Sequence, residues 1–79
     1  MNQTQMGTNE AVVVMSAVRY MLGRSSYGVG SVCDFIKENK NRLSNSNKEV
    51  IVRDIQEYFD KYQNASYKND WFEIIDILI

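Results

Sequence analysis

Apolar residues recur at intervals of three and four along most of the chain, which is the spacing of one face of a helix. Polar stretches separate four such segments, and the alternation of apolar and polar residues that favours a strand is weak throughout. The pattern predicts an all-α protein, a small bundle of three to four short helices.

The first predicted helix runs from about Asn9 to Leu22, and Gly23 offers a left-handed end to it. Three successive valines at 12–14 are compatible with a strand, but the helical spacing continues for three turns at Ala11, Val14/Met15, Val18 and Leu22. The second predicted helix extends to Asn39 or Lys40. It begins after residues 24–26 or, because glycines at 28 and 30 are poor helix formers, only at Ser31.

The third helix has the clearest signal, a capping box at Ser46–Glu49 followed by apolar residues at Ile51, Ile55, Tyr58 and Tyr62. The fourth helix begins near Asn69 or Asp70 and carries Trp71, Ile74/Ile75 and Leu78 to the end of the chain. We therefore expect a polar N-terminal tail over residues 1–8 and a single helical domain over residues 9–79.

The first and last predicted helices are apolar on nearly every side. Only Ser16 and Arg19 are polar in the first helix after Ala11, and only Glu73 and Asp76 are polar from Trp71 onward. A chain of this length buries only somewhat over ~60% of its surface, so it cannot easily enclose two such helices. Either the other helices wrap around the first one, or these faces dock on another copy or another protein. We favour a homodimer, a higher oligomer or a tight complex.

The composition excludes several kinds of chemistry. The 79 residues include no histidine, which removes Ser-His-Asp and Cys-His catalysis and histidine zinc sites. The single cysteine, Cys33, cannot form an internal disulfide, and its apolar neighbours predict a small core residue. We expect a non-enzymatic protein with no catalytic residue, no metal site and no cofactor.

The sequence also bears on location. The N-terminal residues lack the basic and apolar regions of a signal peptide. The longest purely apolar run, Ala11 to Met15, is far shorter than the roughly 18–20 residues of a membrane span. A lone thiol fits a reducing compartment. We expect a cytoplasmic protein that does not enter a membrane.

The junction of the first two helices is rich in groups that bind ligands. The candidate ligand- or partner-binding residues are Arg19, Tyr20, Arg24, Ser25, Ser26 and Tyr27. Guanidinium groups, hydroxyls and the free N–H groups of a helix start can hold a phosphate, and the tyrosines can stack on a base. The alternative is structural: Gly23 ends a helix, the serines turn the chain, and Arg19 pairs with Asp34 or Asp54.

Charge is divided unevenly, because residues 1–42 carry about +2 and residues 43–79 about −3. A DNA-binding regulator could use the polar group at the end of the second helix, namely Lys37, Asn39, Lys40, Asn41 and Arg42. The overall charge of −1 and the acidic second half disfavour nucleic acid. The same acidity is also compatible with a surface that imitates DNA.

Two blocks of the chain carry a resemblance to a known group. They are RYMLGRSSY at residues 19–27 and IVRDI at residues 51–55, with Trp71 near the C-terminus. The chain resembles small, mostly uncharacterised proteins of bacteriophages and mobile elements that share an RY-x-x-GR-x-[ST]Y core and an I-x-RDI helix. The resemblance covers roughly residues 12–75, and the matching positions are Arg19, Tyr20, Gly23, Arg24, Tyr27, Arg53 and Asp54.

The resemblance implies a phage accessory protein that inhibits a factor of the host cell through protein–protein contact, as anti-CRISPR and other anti-defence proteins do. Two alternatives remain open from the residues themselves. One is a sponge that sequesters a nucleotide or phosphorylated ligand at residues 19–27, and the other is the DNA-binding regulator.

Overall fold

The computed structural model describes residues 5–24 and 26–79. Over these residues the chain forms four α-helices and a short 3₁₀ helix, and none of them is in a strand. The elements are α1 (Thr8–Met21), α2 (Ser26–Asn39), the 3₁₀ helix (Lys40–Arg42), α3 (Asn45–Lys61) and α4 (Lys68–Leu78). The prediction of a small all-α bundle is confirmed.

The start of α2 shows packing prevailing over local propensity. This helix begins at Ser26, so the glycines at 28 and 30 are both helical and the later start at Ser31 is not used. Each glycine in a helix costs about 1 kcal/mol relative to alanine. Contacts of α2 with α1 and α4 offset this cost, because most helical stability in proteins comes from packing.

The helix starts of α3 and α4 differ from the predicted ones. Ser44 caps α3, two residues before the predicted Ser46, and its side-chain oxygen accepts a 3.1 Å hydrogen bond from the N–H of Asn47. Leu43, just before Ser44, is buried and extended. Its burial fixes the start of α3 earlier in the chain than predicted. Helix α4 follows Tyr67, which has a left-handed φ of 67° and no side-chain capping bond.

Gly23 ends α1 as predicted. Its φ of 73° is left-handed, a conformation that favours glycine. A Cβ atom at this position would also overlap the hydroxyl oxygen of Tyr58 on α3. Both the backbone angle and the close approach of α3 therefore require a glycine here.

The core lies between all four helices. Helix α4 packs against both α2 and α3, and α1 packs against α3 and α2. The largest fully buried side chains are Trp71, Phe59, Ile36, Ile51, Ile55, Ile74 and Val18. The buried face of α3 includes Phe59, which the predicted stripe omitted. The two tyrosines of that stripe are not buried, since Tyr58 is only half-buried and Tyr62 is exposed.

The segment before α1 also contributes to the core. Met6 is buried, and its N–H donates a 2.8 Å hydrogen bond to the carbonyl of Arg42. The Arg42 guanidinium in turn binds the carboxylate of Glu10 at 2.8 Å. Met6, within the segment predicted as a polar tail, therefore contributes to the core of the bundle.

Candidate functional site

Helix α1 keeps a large apolar surface in contact with solvent. Its predicted stripe, Ala11, Val14, Val18 and Leu22, is buried. The neighbouring valines are not, since Val12 is 49% and Val13 67% exposed. Tyr20 is also exposed. The other helices therefore do not wrap around α1, and part of the expected apolar surplus is present.

Part of this surface forms one wall of a groove between α1 and α2. The groove has a volume of about 320 Å³, and the side chains that line it carry no charge and no polar atom except the Ser31 hydroxyl. The lining residues are Val13, Val14, Ala17 and Met21 of α1 and Gly28, Ser31, Val32 and Phe35 of α2. These eight residues and the exposed Tyr20 are called the α1–α2 face below.

Helical spacing explains why these residues share a face. Positions 13, 17 and 20 follow one stripe of α1, and positions 28, 31, 35 and 38 follow one stripe of α2. Tyr20 of the first stripe was named from the sequence as a candidate binding residue, but the second stripe was not singled out. The regular spacing of Gly28, Ser31 and Phe35 was the available signal, but Gly28 was considered only as a poor helix former.

Charged residues lie beyond both ends of the α1–α2 face. The two helices run antiparallel, because a short turn joins Met21 to Ser26 and Glu10 reaches Arg42 beyond the far end of α2. Arg24 lies at the turn, where its guanidinium stacks 4.5 Å from the centre of the Tyr20 ring and donates to the Tyr20 carbonyl. The opposite end carries both signs of charge, because Lys37, Glu38 and Lys40 are all exposed there.

The predicted phosphate site at residues 19–27 is divided between two sides of α1. The Arg19 Nε donates a 2.8 Å hydrogen bond to Asp54 Oδ2 on α3, as the structural alternative predicted. Arg24 stacks on Tyr20, and Tyr27 is 85% exposed. Ser25 and the side chain of Ser26 lie outside the described residues. Since Arg19 is directed to α3, it does not join Arg24 in one anion site.

Cys33 is a core residue, as predicted. It is buried on α2, and its thiol donates a 3.4 Å hydrogen bond to Glu73 Oε2 of α4. Burial and this hydrogen bond raise the pKa of the Cys33 thiol above its ordinary value. The group is therefore protonated at neutral pH, whereas a cysteine nucleophile needs a thiolate.

The polar group proposed for DNA contact is partly used inside the protein. The Asn39 side-chain amide donates to the Phe35 carbonyl at 2.9 Å. The Arg42 guanidinium binds both Glu10 and the Asn39 side-chain oxygen. Two of the five groups at the end of α2 are therefore bonded within the protein, and one of them, Arg42, joins this end to α1.

The described residues contain no cluster of three or more potential metal ligands. None of the helices described is both long and apolar enough to span a membrane.

Comparisons of the chain with protein-family models, with curated proteins and with solved structures return no match. The candidate site therefore follows from the geometry of the chain itself. The α1–α2 face combines an open groove, exposed apolar side chains and an uncharged lining. These are features of a surface that binds another protein.

Proposed function

We propose that this chain is a non-enzymatic binding protein that docks a partner protein on the α1–α2 face. The supporting observation is the uncharged groove between α1 and α2, with Val13 exposed at its edge. Leaving an aliphatic side chain in water instead of burying it forgoes about 1.5–3 kcal/mol. Several such side chains on one face therefore favour association.

The shape of the groove indicates how a partner could bind. A groove between two helices suits an amphipathic helix that inserts apolar side chains at helical spacing. Ala17 is small and exposed, so a partner helix can approach the backbone of α1 closely. Tyr20 and Phe35 supply aromatic contact area, which is enriched at the centres of protein interfaces.

The class of partner comes from the resemblance to phage and mobile-element proteins. On that basis the partner is a protein of the host cell cytoplasm that is inhibited by the contact, as in anti-defence and anti-CRISPR proteins. The sponge for a phosphorylated ligand has less support, because Arg19 pairs with Asp54 instead of joining Arg24. The DNA-binding regulator has less support because Arg42 and Asn39 are occupied within the protein.

Site-specific photo-crosslinking tests the proposal. A benzophenone amino acid replaces Ala17 in the groove or, as the matched control, Val12, which is exposed on α1 but does not line the groove. We expect a discrete crosslinked product with a second protein from bacterial lysate at position 17 and none at position 12.

Two substitutions add specificity to this experiment. Val13→Asp places a charge in the groove and is expected to abolish the product from position 17, whereas Val12→Asp leaves it unchanged. Far-UV circular dichroism confirms that each variant is folded. Identical products from positions 12 and 17, or no product from either, contradict the proposal.

A further inference from the structure

We draw no further inference here: the strongest candidate, the apolar groove between α1 and α2 that Val13, Ala17 and Phe35 line, belongs to the site already described, and nothing in the described part of the chain shows what covers it.

Discussion

Helices α1 and α4 have similarly apolar sequences, but the fold covers them to different extents. Helix α4 lies against both α2 and α3, and it buries Trp71, Ile74, Ile75 and Leu78. Helix α1 buries one stripe and leaves Val12, Val13 and Tyr20 in solvent. The difference shows that apolar content sets how much surface needs covering, whereas the position among neighbouring helices sets how much is covered.

This comparison corrects one expectation from the sequence. An uncovered apolar surplus was expected on both terminal helices, and it is found on α1 but not along α4. Helices α2 and α3 enclose α4 on two sides, so the large apolar side chain that α4 exposes is Phe72, and Ile79, which follows the helix, is also exposed. The candidate site is accordingly on α1 and α2.

Truncation of one aromatic residue in α4 and one in α1 should give the largest difference in stability between the two helices. Trp71 of α4 is fully buried, so Trp71→Ala should lower the free energy of unfolding by about 3–5 kcal/mol. Tyr20 of α1 is exposed, so Tyr20→Ala should lower it by less than about 0.5 kcal/mol. Urea unfolding followed by far-UV circular dichroism measures both values in dilute solution.

A variant that keeps an aromatic ring controls for the loss of volume. The Trp71 indole N–H is buried with no hydrogen-bond partner among the described residues. Trp71→Phe therefore loses no such bond and should be clearly less destabilising than Trp71→Ala. Equal losses for Trp71→Ala and Tyr20→Ala would contradict the difference in burial between α4 and α1.

Two glycine substitutions compare the turn after α1 with the first turns of α2. Gly23→Ala should destabilise the protein by about 1–3 kcal/mol, because its φ of 73° is strained for alanine and its Cβ would overlap the Tyr58 hydroxyl. Gly30 is helical and has open space around its Cβ position, so Gly30→Ala should stabilise by about 0.5–1 kcal/mol. Thermal and urea unfolding of both variants decide the signs, and a neutral Gly23→Ala would argue against the position of α3 beside this turn.

The Arg19–Asp54 ion pair should give the smallest effect. The Arg19 side chain is 60% exposed and that of Asp54 is 18% exposed, so water screens much of their attraction. A double-mutant cycle with Arg19→Ala and Asp54→Ala should give a coupling of about 0.2–1 kcal/mol that decreases as salt is added. A coupling of zero would show that the contact does not hold α1 on α3.

Much of the fold follows from local patterns. The spacing of Ala11, Val14, Val18 and Leu22 predicts the buried side of α1, and Gly23 predicts its end. Trp71, Ile74 and Leu78 likewise predict the buried side of α4. Such predictions succeed because side chains three and four positions apart share a helix face wherever the helix lies.

The helix starts and the candidate site were harder to predict from the sequence. Ser44 and Ser46 are both suitable caps, and the burial of Leu43 favours the first. Arg19 and Arg24 are five residues apart in one motif, yet Arg19 binds α3 while Arg24 stacks on Tyr20. Residue types alone do not distinguish these outcomes, because the burial of Leu43 and the Arg19–Asp54 pair both depend on elements distant along the chain.

Periodicity was thus sufficient to define the helices of this protein, their inner faces and the amount of apolar surface on α1 and α4. Which of those two helices is enclosed depended on the arrangement of α2 and α3 around them. The physical reason is that periodicity arises within a few turns of one helix, whereas exclusion of water requires atoms from several helices at the same place.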